Sequence, residues 1–334
     1  MGHRWRMLAL TAVLAAVVAG AAPARGATAG LEGVPAFGHV FVIVGENTDL
    51  SALTPNNAPY QLSTVAPSAA WFTNYYATTH WSGANYIAMT SGQYIHCEQE
   101  DIAPADCHQD VNNLFHQLDV AGVSWKEWNE SMPEPCALTS SGTSKDGNIY
   151  RVKHNPAVYY ADIEGAGGVW SATDRSAECL SHVVATGSTG VNDMRGFNRA
   201  LAAGAVPRFN FVVPNQCEDG HDNCKPAGGV ITQFDDFLAR EVPAIMRSPS
   251  WDASSVIVIV YDEGQSGGPN NGSKFGGGNV PFAVLGPLVH PAVYTQLNNH
   301  YGLLRTLEDG FGISEHLNNA GSPLEHAMTD LFTS

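Results

Sequence analysis

The sequence predicts an α/β protein built on a mostly parallel central sheet with helices on both faces, a three-layer sandwich. Three observations carry that prediction. Short β-branched runs occur without polar alternation, which marks strands covered on both faces; "VFVIV" (40–44) and "VIVIV" (256–260) are the clearest. Amphipathic segments lie between such runs, the alternation expected when parallel strands are joined by crossover helices. Both runs end in acids, Glu46 in one case and Asp262 with Glu263 in the other. Sites in open α/β sheets form outside the carboxyl ends of strands, so two acidic tips suggest a cation held between them.

In chain order, residues 1–29 come first. Arg4 and Arg6 lead into "MLALTAVLAAVVAG" and the small residues of "AAPARGATA", a pattern that reads as a secretory signal peptide. The run is too short for a comfortable membrane span, and no later stretch approaches the required length. We therefore expect a secreted chain without a stable membrane span, in which residues 30–334 form a single domain. Strand-like runs follow near 39–44, 122–126, 209–213, 255–261 and 281–285. Helical patterns cover 59–77, 111–122 and 231–247; the last places Ile231, Phe234, Phe237, Leu238 and Val242 on one face. The segment from about 130 to 205 is less regular and is expected to be a cap-like insertion. The Gly/Asn-rich stretch 264–279 lacks the GK[ST] ending of a P-loop and reads as a loop beside the second acidic tip.

Composition narrows the function. The formal charge is −16, and removing residues 1–29 takes away Arg4, Arg6 and Arg25 but no acid, leaving −19. Nucleic acid would be repelled by that field. An anionic substrate would need local positive charge, which a metal ion can supply. Six cysteines in an exported chain point to disulfides, and six allow 15 connectivities. We expect the pairing of neighbours: Cys97 with Cys107, Cys136 with Cys179, and Cys217 with Cys224. The absence of CxxC argues against a thiolate zinc site.

Three further stretches carry chemistry. In "TTHWSGANYIAMTSGQY" (78–94), Ser82 stands at the start of a predicted helix, where free N–H groups favour an anion and a partly ionised hydroxyl. The bland reading is an N-cap serine. In "FNFVVPNQCEDGHDNC" (209–224), a third strand ends in Asn215, Glu218, Asp219, His221 and Asp222, which could share a hard cation or form a solvated turn. His300 opens the amphipathic segment "HYGLLRTLEDGFGI" (300–313), where a lone histidine is more often structural.

In order, these stretches read EN, HxSxxNY, PNxxxDxHD, YDE and HYxxLxTLE. That order resembles the bacterial secreted acid phosphatases and phospholipase-C-like phosphoesterases of the alkaline phosphatase superfamily, from about residue 39 to 312. "GVSWKEWNESMPEPC" (122–136) and "YRVKHNPAVYY" (150–160) resemble that family's middle segments. The resemblance implies an alkaline-phosphatase-like sandwich and a metal-dependent hydrolase of phosphate esters, acting on a phosphorylated small molecule or lipid head group. It makes Glu46, Asn47, Asp262 and Glu263 ligands of one divalent ion and Ser82 the nucleophile, with Thr79 a minor rival. It assigns Asp219, His221 and His300 to a second ion or to the phosphoryl group, and Asn85, His154 and Asn215 to substrate contacts. The oxygen-rich ligands suit Ca, Mg, Mn, Fe or Zn alike.

The chain departs from the family pattern at three places. Gly45-Glu46-Asn47 replaces EEN, the nucleophile turn lacks both prolines of HPSxPNY, and Glu218-Asp219-Gly220-His221-Asp222 replaces NDxHD. Hydrolysis of monoesters through a phosphoseryl intermediate is the first expectation. A phosphodiesterase or phospholipase C on the same core is the alternative, with Trp125, Trp128 and Tyr159 as lipid-holding aromatics. A non-catalytic exported binding protein is the second. The lack of a C/S-x-P-x-R motif argues against a sulfatase.

Overall fold

The structure, a computed structural model, describes residues 1–2, 30–94, 102–224, 228–265 and 276–333. Residues 3–29 of the expected signal peptide, Cys97, and most of the Gly/Asn-rich loop lie outside the described residues. The strands are β1 (Val40–Gly45), β2 (Ala70–Phe72), β3 (Tyr75–Tyr76), β4 (Trp125–Asn129), β5 (Val183–Ala185), β6 (Phe209–Val213), β7 (Val256–Tyr261), β8 (Phe282–Leu285), β9 (Ala292–Tyr294) and β10 (Asn298–Asn299). Eight of them form one sheet in the order β5-β4-β6-β1-β7-β8-β2-β9, while β10 and β3 pair separately. All neighbours in the large sheet are parallel except at β8, which runs antiparallel to both β7 and β2. The α/β class and the mostly parallel sheet are as expected.

β1 lies at the centre, and every residue of β1, β6 and β7 is buried. Burial on both faces is why these strands show no polar alternation, and each Val or Ile so enclosed contributes about 1.5–3 kcal/mol. The β1–β7 register runs from Val40 opposite Val256 to Gly45 opposite Tyr261. The next residues, Glu46 and Asp262, therefore leave the sheet side by side. Gly45 has a packing reason as well: a Cβ there would lie 2.4 Å from Phe234 Cε1, whose ring meets Tyr261 edge-on. Phe234 belongs to the helix Val230–Met246, which buries Phe237, Leu238, Val242 and Ile245 on the same side.

The helix Leu114–Ala121 is bounded by Asn113, whose side chain accepts from His116 N, and by left-handed Gly122. The helix predicted over 59–77 is shorter than expected. Its turns end at Ser68, and Ala69 is extended. Pro67 lacks the N–H that a continuing helix needs, and the β-favouring Trp71 and Phe72 pair instead with Ala283 and Phe282. Residues 130–205 supply β5 at the sheet edge and the disulfide Cys136–Cys179; Cys217–Cys224 is also formed. No helix among the described residues is long and apolar enough to cross a membrane.

Candidate active site

Four acids converge beyond the ends of β1, β6 and β7. Glu46, Asp219 and Asp262 are fully buried, and Glu263 is 6% exposed. Backbone bonds tie their loops together: Glu46 N donates to Asp219 O (2.8 Å), Asp262 N to Gly45 O (2.9 Å) and Thr48 N to Glu263 O (2.9 Å). Asn47, held at φ 47°, gives its N–H to Asp262 Oδ1 at 3.1 Å. Burial, then the adjoining Asp262 and Asp219, raises the Glu46 carboxyl well above its usual range. Burial, then Glu263, pushes Asp262 up to about 7, and burial likewise raises Asp219.

Ser82 is the first residue of the helix Ser82–Ser91, so the simple N-cap reading does not hold; the cap position is Trp81, at φ 79°. A non-glycine residue in that backbone region costs of order 1–3 kcal/mol, so the turn must be held from outside. Asn85 does so. Its Oδ1 accepts from Thr78 N, Thr78 Oγ1 and Thr79 N, and its Nδ2 donates to Thr79 O and Trp81 O. Thus fixed, Ser82 Oγ donates to Glu46 Oε2 (2.9 Å), lies 3.5 Å from Glu263 Oε1, and receives the Lys153 ammonium at 3.3 Å. On the flank, Glu263 Oε2 meets His80 Nδ1 at 2.6 Å and accepts from Trp81 N.

His154 is buried between two of the acids. Its Nε2 is 3.3 Å from Glu46 Oε1 and its Nδ1 3.4 Å from Asp219 Oδ2. Neither approach is aligned as a hydrogen bond, since Nε2 and Oδ2 both remain unpartnered, as does Asp262 Oδ2. Burial, then the Lys153 charge, holds His154 well below its ordinary pKa. Its ring stacks on Tyr86, with centroids 5.1 Å apart, and Tyr86 OH donates to Glu46 Oε1 at 2.7 Å.

A scan of protein families matches residues 38–314 to the Phosphoesterase family. The chain belongs to the Phosphoesterase family. It is 25% identical over 313 residues to a phosphatidylinositol-3-phosphatase of Mycobacterium tuberculosis, covering 92% of this chain and 89% of that protein. It is 25% identical over 255 residues to a probable acid phosphatase of Kluyveromyces lactis, covering 75% of this chain. The chain spans about half (54%) of the length of that yeast protein. Among solved structures, a protein in the alkaline phosphatase superfamily from Vibrio parahaemolyticus matches with a TM-score of 0.55 at 15% identity, over 86% of this chain and 71% of that one. That is a likeness of fold, and it matches the expected architecture.

Phosphoesterase chemistry is the hydrolysis of phosphoric esters, and the geometry sorts the residues expected to serve it. Ser82, Glu46, Asn47, Asp219, Asp262 and Glu263 stand together. His221 borders them: its N–H bonds Asp219 Oδ1 and its Nδ1 meets Asp222 Oδ1, each at 2.8 Å. Three others are occupied by the protein. His300 has Nε2 2.7 Å from Asp262 O and Nδ1 3.0 Å from Tyr75 OH, and burial lowers it to about 4. Asn215 gives its amide to Ser131 Oγ and Gly147 O, and Asn85 is spent on the nucleophile turn. His80 and Tyr86 stand in the HxSxxNY motif without a role there, and Lys153 falls in the segment 150–160 without one; the fold brings all three to the site. Tyr86 carried a usable signal, because position i+4 from Ser82 lies on the same helix face.

The residues fit a divalent cation. Four carboxylates with almost no solvent exposure are costly to charge together without one, and an oxygen-rich set suits a hard ion. Glu46, His154 and Asp219 each offer a ligand atom within 4.8 Å of the others. Two of those three residues carry an unpartnered buried atom, Asp219 Oδ2 and His154 Nε2. A carboxylate at position 45, as in the family pattern, would have to displace the Phe234 ring.

Proposed function

We propose that this protein is an exported, metal-dependent phosphomonoesterase of the acid-phosphatase type, working through a phosphoseryl intermediate on Ser82. The observation that carries the reading is the placement of the Ser82 hydroxyl: on a strained turn, bonded to Glu46, and flanked by Glu263 and Lys153. A bound divalent ion would supply Lewis-acid stabilisation of the charge that builds in phosphoryl transfer, with Glu46, Asn47, Asp262 and Glu263 to hold it and Asp219 and His154 as further ligand candidates. Glu46 Oε2 orients Ser82 Oγ and is the nearest acceptor for its proton. Attack by Oγ forms the O–P bond to serine and breaks the ester O–P bond, releasing the alcohol. His221, on the outer side of the cluster, is placed to give that oxygen a proton. Water then cleaves the phosphoserine. His300 acts as a positioning residue that holds the Asp262 backbone. The two disulfides among the described residues support export, and residues 30–334 are read as one domain.

Phosphate release from p-nitrophenyl phosphate tests this. Turnover should fall at least about a thousandfold in Ser82→Ala and collapse with chelator. Turnover that survives Ser82→Ala would reject the nucleophile assignment. A lipid-phosphate monoester is a second reading, favoured by the near full-length likeness to the mycobacterial protein and by Trp81, 46% exposed beside the nucleophile. Faster turnover of phosphatidylinositol 3-phosphate in vesicles than of the soluble ester would select it.

A further inference from the structure

Lys153 links the nucleophile to a neighbouring cavity. Its Nζ lies 3.3 Å from Ser82 Oγ, and its side chain lines a 380 Å³ cavity together with Ser140, Arg151, Gln216, His221 and Asp222. Ser82 is 1% exposed, so a phosphoryl group that reaches it from this cavity meets the ammonium as well. The backbone behind Lys153 is fixed. It sits in the short turn Val152–His154, whose last residue is wedged between Glu46 and Asp219 and stacked on Tyr86. The other cation of the cavity, Arg151, is turned back, with Nη1 donating to Ser141 O and Tyr150 O.

We propose that Lys153 is a catalytic residue that reads the charge of the phosphoryl group, making the site favour doubly charged monoesters over singly charged diesters. The inference rests on the Ser82 reading above. Its logic is charge counting in a site of low dielectric. The carboxylates would be offset by a bound ion, so the second negative charge of a monoester needs a separate counter-charge, and the ammonium is within reach to provide it. A charge-assisted hydrogen bond in such a place changes an equilibrium or rate by about tenfold to a hundredfold. The competing role for Lys153 is to offset Glu46 and Asp219, in which case its removal would weaken every substrate equally.

The test uses the metal-loaded full chain at pH 7, above the second phosphate pKa of about 6. It compares kcat/KM on p-nitrophenyl phosphate and bis-p-nitrophenyl phosphate for wild type, Lys153→Met and Lys153→Arg. Lys153→Met should lose about tenfold to a hundredfold more on the monoester than on the diester, and raise the inhibition constant of inorganic phosphate by at least about tenfold. Lys153→Arg, which keeps the charge, should restore most of the monoester preference. Equal losses on both esters, or no loss, would overturn the proposal. If wild type hydrolyses neither ester, the Ser82 reading fails by itself, and phosphate affinity decides this one. Binding of phosphate weakened in Lys153→Met but not in Ser82→Ala upholds it, and unchanged binding overturns it.

Discussion

On one side of the site, Glu46, Asn47, Asp262 and Glu263 leave the ends of β1 and β7, two buried parallel strands whose pairing continues to the last residue, Gly45 opposite Tyr261. On the other side, Asp219 and His221 lie on a loop closed by Cys217–Cys224, and Lys153 and His154 on a single short turn. The first pair of acids takes its spacing from sheet register, with Tyr86 and His300 bonded to it. The second group is held by a covalent bond, by the Tyr86–His154 stack and by backbone bonds such as Glu46 N to Asp219 O and Asp219 N to Asn215 O. A rigid half would thus fix a bound ion, and a strapped half would close around it. The two halves should fail differently when perturbed.

The largest effect is expected in the rigid half. Asp262→Asn removes a carboxylate whose Oδ2 has no protein partner while leaving an acceptor for Asn47 N–H. Turnover should drop by more than the roughly 10–100-fold typical of outer-shell partners, and metal content by elemental analysis should fall below one ion per chain. Full metal content together with lost turnover would mean that Asp262 serves the reaction and not the ion.

The disulfides sharpen the comparison next, because their costs should divide. Cys136–Cys179 spans 43 residues and Cys217–Cys224 only 7. Loop-closure entropy then predicts a stability loss of about 4 kcal/mol for removing the first and about 2.5 kcal/mol for the second. Activity should respond in the opposite order, since the short loop carries Asp219 and His221. Paired Cys→Ser variants, read by denaturant melts and by turnover on the folded fraction, would break the comparison if the long bridge proved the more important for activity.

The same division governs what the sequence reveals. β1, β7 and β8 stand out because continuous burial leaves uninterrupted apolar runs, and the acidic tips of β1 and β7 are visible for the same reason. β2, β5 and β9, at three residues each, are too short for any period, and β2 was absorbed into the helical pattern of 59–77. Side chains that arrive through loops leave no such trace. Lys153 lies in an irregular segment, and only the fold brings its ammonium to Ser82. Asn85, Asn215 and His300 illustrate the converse: polar residues near a site look like ligands in sequence, yet here their hydrogen bonds are spent on backbone and neighbouring side chains.

The smallest effect is a pH dependence that involves both halves at once. Asp262 is pushed from its ordinary 3.8 up to about 7, and Glu46 and Asp219 are raised as well. An acid with a raised pKa binds its proton more tightly in the fold than in the unfolded chain. Without an ion, these groups therefore lend stability at low pH that is lost as pH climbs from about 4 towards 7. His300, lowered from 6.5 to about 4, works oppositely and loses stability as pH falls through that range, but it is one group against three. Ion binding requires the carboxylates in their charged form. The rise in Tm on adding a divalent ion should therefore be slight near pH 4.5. It should reach about 4 °C near pH 7.5 at a hundredfold excess over Kd. Scanning calorimetry of chelated and loaded protein at the two pH values checks this. An equal rise at both would mean that the ion does not bind through this buried cluster, and would return the four acids to an unexplained cost of the fold.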